Sequence, residues 1–282
     1  MADNYLITGY RGEAHVTAEN DRRIHAAAFG TGRFVLPIGE QFRAEYIGSN
    51  KIRIHSGMLM DNGTAADIPI GETVDLSVYN AGQGMKRNDL IVFAYTKNSS
   101  TLIESGVFKV VMGTETSGTP SDPTLTQNDL LSGNAVVENM PLWRVTVSGT
   151  SIGTPERVAP VKWQNPPMEV GVEYCTAEYW LGKPVYTKLV KYTANSSIGN
   201  ASSSYGFSVS FSTPNFENLI RYCGTIEGSG RAIPCFYNPE AGGGYIGVNF
   251  MNHQGVAVEM NRVTLPANTT FAIQVWYTKT TN

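Results

Sequence analysis

The sequence predicts a mainly β protein with two β-rich domains: an N-terminal domain carrying one short helix, and a C-terminal module resembling a β-sandwich or jelly-roll. Most of the chain consists of short apolar or alternating segments separated by Gly, Asn and Pro turns, which is typical of β proteins. Charged residues make up 16% of the chain, against roughly 25% in ordinary soluble domains. There are no heptads and no internal repeat of fixed period.

The N-terminal half contains one predicted helix, from about Ala18 to Ala28. Thr17 can cap it, acidic residues favour its first turn, and Gly30 follows its end. The remaining segments of this half predict strands, because apolar residues alternate with polar ones or form short runs between turns. These strands are Arg33 to Ile38, Phe42 to Ile47, Lys51 to His55, Met58 to Met60, Thr73 to Val78, Leu90 to Lys97, Gly106 to Met112 and Met140 to Val147.

A stiff linker is predicted at Ala159 to Pro167, where Asn165 precedes two adjacent prolines. The boundary placed there gives an N-terminal domain over residues 1–163 and a C-terminal domain over residues 164–282. Short strands at roughly ten-residue spacing in the second domain indicate a sandwich or jelly-roll. They are Val185 to Tyr192, Tyr205 to Phe211, Leu219 to Thr225, Ala232 to Asn238, Tyr245 to Asn249, Val256 to Glu259 and Thr270 to Tyr277.

Composition and charge argue against several classes of partner. The net charge is −3 and there is no basic block, so nucleic-acid binding through phosphate neutralisation is not expected. There is no run of about 18 apolar residues, so no membrane insertion is expected. The first residues lack the pattern of a secretion signal, so synthesis without a signal peptide is expected. Three widely spaced cysteines predict buried free thiols, not a disulfide framework or zinc site.

The sequence contains no convincing catalytic or metal-binding motif. One GxSxG occurs around Ser151, but Thr154 and Pro155 follow it where a nucleophile elbow needs a helix. The four histidines have no metal-ligand spacing. We therefore predict no catalytic residue, no metal, no cofactor and no enzyme activity. Paired carboxylates for glycoside hydrolysis stay open as an alternative in the C-terminal half, with candidates Glu169, Glu173, Glu178, Glu217, Glu227, Glu240 and Glu259.

The candidate ligand-binding residues lie in and near a glycine-rich loop of the C-terminal half. Tyr237 and Tyr245 bracket this loop, which also contains Asn238 and Glu240. Aromatic rings can stack on the apolar faces of sugars while amide and acid groups bond their hydroxyls, so this combination indicates carbohydrate binding. Trp180 is a further candidate for the same reason. The alternative interpretation of all these aromatic residues is core packing.

Three blocks in the first 160 residues resemble the N-terminal region of baseplate and tail-appendage proteins of tailed phages and prophages of Gram-positive bacteria. They are Ile7 to Gly12 followed by His15 to Thr17, Gly82 to Val92, and Asn139 to Val145. A fourth segment, Glu178 to Lys188, is similar to the opening of small β modules on receptor-binding tail proteins.

The resemblance implies a non-enzymatic virion protein of the tail tip or baseplate, made in the host cytoplasm. Its N-terminal domain would dock to other tail or baseplate proteins, and its C-terminal domain would bind a host-surface glycan or protein. The resemblance also implies a homotrimer, in which several weak sites would act together. One alternative is a purely architectural baseplate scaffold, and a second is a polysaccharide depolymerase.

Overall fold

A computed structural model describes residues 17–210, 212–229, 231–237 and 244–280. Strands account for 59% of the structure and helices for 6%, so the prediction of a mainly β protein is confirmed. The resemblance block at Ile7 to Gly12 and the adjoining His15 lie outside the described residues. Contacts group the chain into two compact units, Met1–Lys162 and Trp163–Asn282.

The first unit contains the predicted helix and two β-sheets. The helix α1 begins after Thr17, whose side chain accepts a hydrogen bond from the amide of Asn20, and Gly30 caps its end. The elements in chain order are α1 (Ala18–Phe29), β1 (Arg33–Leu36), β2 (Ala44–Gly48), β3 (Lys51–Asp61), β4 (Thr64–Ser77), β5 (Lys86–Lys97), β6 (Glu104–Val111), a 3-10 turn (Leu130–Ser132), β7 (Val137–Ser148), β8 (Ser151–Ile152) and β9 (Glu156–Arg157).

Hairpins organise both sheets of the first unit. In the first sheet, β3 is flanked by β1 and β2 on one side and by β4 on the other. Asn62 and Gly63 join β3 to β4 with positive φ angles of 45° and 83°, the conformation that tight hairpin turns require. The second sheet has the order β6-β5-β7-β8, and β9 also pairs with β7. The predicted long hairpin is confirmed as β5 and β6.

One hydrophobic core fills the first unit and draws residues from both sheets. Ile52, Ile54 and Leu59 come from the first sheet, and Ile91 and Leu142 come from the second. All five are fully buried. The alternation in Lys51 to His55 therefore works as predicted, because the isoleucines face the core while the charged residues between them face outward.

The second unit also contains two sheets, of six and four strands. The six-stranded sheet has the order β10-β11-β12-β19-β14-β15, and the four-stranded sheet has the order β13-β18-β17-β16. Their strands are β10 (Lys162–Trp163), β11 (Glu173–Trp180), β12 (Lys183–Thr193), β13 (Ile198–Ser210), β14 (Phe216–Ile226), β15 (Arg231–Ile233), β16 (Cys235–Tyr237), β17 (Gly244–Asn252), β18 (Gly255–Leu265) and β19 (Thr270–Lys279).

A second core joins these two sheets. Phe271, Ile273 and Val275 of β19 face Val256 and Val258 of β18 in one cluster of buried side chains. From Val256 to Asn261 the side chains of β18 alternate between this core and the solvent side of the sheet. The polar residues on the solvent side do not pack in this core and can therefore contact other molecules.

Two expectations for the second unit are wrong in detail. The predicted strand from Ala232 to Asn238 is two strands, because Pro234 lacks an amide hydrogen to donate and separates β15 from β16. Of the cysteines predicted to be buried, Cys175 is only partly buried and Cys223 is exposed. On β14 the side chain of Tyr222 packs against the core, so the adjacent Cys223 points the other way. None of the helices in the described ranges has the length and apolar character needed to cross a bilayer.

Candidate ligand-binding face

The candidate site lies on the solvent side of the four-stranded sheet of the second unit. On β13, Phe207 pairs with Val258 and Val209 pairs with Val256, on the side of the core. Gly206 and Ser208, which alternate with these residues, are small and point the other way. Because these side chains are small, the surface of the sheet has a depression of about 450 Å³ here. It is lined by Ser204, Tyr205, Gly206, Phe207, Ser208, Ala257, Val258 and Glu259. We call it the Glu259 depression.

Glu259 stands at the centre of a row across three strands. It pairs with Gly206 on β13 and with Gly247 on β17. Directly paired residues of neighbouring strands project to the same side of a sheet. The two glycines therefore leave the glutamate without a neighbouring side chain in its own row, and its side chain is half-buried.

Two tyrosines approach the row from the side of β17. The hydroxyl of Tyr245 hydrogen-bonds to Glu259, and this bond raises the pKa of Tyr245 because it stabilises the protonated phenol. The hydroxyl of Tyr222 lies 3.1 Å from the position that a Cβ on Gly247 would occupy. The absence of a side chain at Gly247 therefore makes room for this second phenol.

The depression offers hydrogen-bonding groups at a shallow, open surface. Its described lining contains two serine hydroxyls and one carboxylate, and Asn261 lies on the same side of β18 in the row of Ser204 and Tyr245. A volume of about 450 Å³ lies within the roughly 300–1,000 Å³ of small-molecule sites. The arrangement can accept and donate hydrogen bonds to a ligand that carries several hydroxyl groups.

The structure brings one of the sequence-predicted residues to this face. Tyr245 lies in β17 and contacts Glu259. Tyr237 lies in β16, where its backbone pairs with Gly244. Asn238 and Glu240 lie outside the described residues. Trp180 is at the end of β11 with 49% of its surface exposed, and it is not among the residues that line the depression.

Sequence reasoning did not single out Gly206, Gly247 or Tyr222, and it considered Glu259 only as one of several acids. The alternation from Val256 to Met260 is a signal for Glu259, because it places one acid on the side opposite to three buried residues. The contributions of the glycines depend on which strands pair, and strand pairing is not readable from their local sequence.

Other site chemistry is sparse in the described ranges. They contain no group of three or more His, Cys, Asp or Glu residues placed to hold a metal ion. The lining of the depression, as far as the structure describes it, includes the single carboxylate of Glu259. Two interacting carboxyl groups, those of Asp61 and Glu138, are buried in the first unit.

Comparison of the sequence with protein-family models and with curated proteins finds no match to either.

Proposed function

We propose that this chain is a non-catalytic structural protein of a phage tail tip or baseplate, with two domains that correspond to the two compact units. The C-terminal unit, which we interpret as a β-sandwich, attaches the particle to a glycan on the host surface. The N-terminal unit docks to other tail proteins and to further copies of the chain, in a homotrimer. The single observation that carries the proposal is the Glu259 depression, which presents the polar side chains of Ser204, Ser208 and Glu259 to solvent.

Exposed apolar residues of the first unit support the docking role. Ile70 is 80% exposed, Ile103 is 67% exposed and Val107 is 58% exposed. Ile70 lies in an irregular part of β4. Ile68 pairs with Gly57 and Thr73 pairs with His55, so the four residues of β4 between them form a bulge away from β3. Apolar side chains presented in this way favour burial against a partner protein.

The resemblance of the sequence blocks to tail-appendage proteins is the second support. The blocks Gly82 to Val92 and Asn139 to Val145 contribute to the neighbouring strands β5 and β7, in which Ile91 pairs with Trp143. Two sequence blocks that lie side by side in one sheet are what we would expect if this chain had the same N-terminal domain as those tail-appendage proteins.

Light scattering on the purified chain tests the assembly part of the proposal. We expect a solution mass three times the 30.6 kDa of one chain, and we expect Ile103→Ser and Val107→Ser to lower it. Leu181→Ser is the matched control, because Leu181 is 91% exposed in a turn of the second unit and its replacement should leave the mass unchanged. A monomeric wild-type chain would refute the trimer.

A glycan array tests the attachment part. We expect the wild-type chain to bind a subset of bacterial surface saccharides, Glu259→Gln to bind them more weakly, and Trp180→Ala to bind them as the wild type does. Binding to no saccharide would favour the architectural scaffold. Release of shorter oligosaccharides from a bound polymer would instead establish a depolymerase and overturn the non-catalytic assignment.

A further inference from the structure

We infer that the Glu259 depression recognises an uncharged sugar ring through two adjacent hydroxyl groups, and that it discriminates against phosphate-containing surface polymers. This inference rests on the proposed attachment function and adds the chemical class of the ligand. Two observations support it: one carboxylate lies between two glycines, and the other described residues that line the depression are uncharged.

The first step concerns what Glu259 can bind. An ionised carboxylate only accepts hydrogen bonds, and its two oxygens offer about four acceptor positions. Tyr245 donates to this carboxylate, which also lines the open depression and has further acceptor positions for a ligand. Two neighbouring hydroxyls of a sugar match the two oxygens, and hydrogen bonds to a charged acceptor are roughly twice as strong as neutral ones.

The second step concerns shape. A Cβ added to Gly206 would meet only the carbonyl oxygen of Val258, at 3.7 Å, so the space above this glycine is open. Ser204 and Ser208 flank it on the same side of β13. Their small side chains leave a low floor beside the carboxylate on which a flat, hydroxyl-bearing ring can lie, with serine hydroxyls at both ends.

The third step concerns charge. Glu259 is the one charged residue in the described lining of the depression. A phosphodiester or uronate group brings a negative charge and acceptor oxygens toward a site that already holds a negative acceptor, and like charges at close range repel. An uncharged sugar brings donors and no charge, so it avoids this cost.

Nuclear magnetic resonance titration of the full chain tests the inference. The probes are neutral hexoses and their methyl glycosides, each at concentrations up to several hundred millimolar, and a poly(glycerol phosphate) polymer. We expect at least one neutral sugar to shift the amide signals of residues 204–208 and 257–261 in a saturable manner. The phosphate polymer should shift them much less at equal concentration of repeating units.

Variants separate recognition by Glu259 from general effects on the fold. Glu259→Gln keeps the size of the side chain but removes its charge, and we expect about tenfold weaker sugar binding, the loss of one charge-assisted hydrogen bond. Gly206→Val fills the floor at a position where β-branched residues suit a strand, and it should abolish binding. Glu227→Gln and Thr225→Ile, both on exposed positions outside the lining, are the matched controls and should bind as the wild type does.

The outcomes distinguish the inference from the function on which it rests. If no neutral sugar and no phosphate polymer shifts these signals, both the inference and the proposed attachment site are wrong. If the phosphate polymer binds at this face as well as the neutral sugars or better, the attachment site stands and the inference about its ligand fails. Unchanged sugar affinity in Glu259→Gln would also refute the inference.

Discussion

Replacing Asp61 by asparagine should stabilise the first unit at alkaline pH. Asp61 ends β3 with 1% of its side chain exposed, and Glu138 of β7 is fully buried beside it. Arg33 of β1 contacts both, with Nε at 3.5 Å from Asp61 Oδ1 and 2.7 Å from Glu138 Oε1. The other oxygen of Asp61 has no hydrogen-bond partner. One cation therefore faces two buried carboxyl groups.

The size of the effect follows from the pKa of Asp61. Burial and, secondly, the charge of Glu138 raise this pKa from its usual 3.8 to about 7. Because the folded-state value is the higher one, the folded protein is favoured at low pH, and stability is lost as pH rises from about 4 through 7. At 1.36 kcal/mol per pH unit the full loss is about 4 kcal/mol, of which about 3 kcal/mol falls between pH 5 and pH 8. An asparagine side chain at this position cannot ionise, so it avoids this loss.

Urea unfolding followed by the fluorescence of Trp143, the tryptophan of the core of the first unit, measures the effect. The free energy of unfolding of Asp61→Asn, relative to that of the wild type, should rise by about 3 kcal/mol between pH 5 and pH 8. Asp67→Asn, on the exposed side of β4, should show no such change. Parallel pH profiles for the wild type and Asp61→Asn would refute the shared-charge argument.

Two further predictions concern single contacts in the first unit, and both are measured by urea unfolding. Arg87→Ala should lower the free energy of unfolding by about 3–5 kcal/mol, because it leaves the fully buried Asp89 without its paired guanidinium. Arg53 is partly exposed, so Arg53→Ala should lower it by less than about 1 kcal/mol. Similar losses for the two variants would contradict the role of burial. Gly63→Ala should lower the free energy of unfolding much more than Gly71→Ala. Both glycines have a positive φ, but only at Gly63 would the new Cβ meet a backbone oxygen, at 2.0 Å. Equal losses for the two variants would show that the backbone conformation alone determines the effect.

Local sequence signals predicted the strands well where alternation and turn residues agreed. The Asn62-Gly63 turn is an example, since both residues tolerate the positive φ angles that the hairpin needs. The continuity of β3 was missed, because Ser56 and Gly57 interrupt its β-type residues. The structure explains this interruption: the carbonyl of Ser56 accepts hydrogen bonds from the amides of Glu40 and Phe42, and Gly57 allows Phe42 to approach closely.

The candidate site was predictable only in part. Tyr245 was identified from its residue type and the glycine-rich loop before it. The rest of the site depends on long-range pairing, because Gly206 and Glu259 are more than fifty residues apart and meet only when β13 pairs with β18. Local periodicity indicates which side of a strand a residue occupies, but it does not indicate which strand lies beside it.

The division of Val256 to Asn261 in β18 into inward and outward positions has a consequence for how this protein can change. Substitutions at Ala257, Glu259 and Asn261 alter the surface that an outside molecule meets, whereas substitutions at Val258 and Met260 alter whether the unit folds. For the proposed attachment function, this means that ligand preference can change through outward replacements that have little effect on the free energy of unfolding.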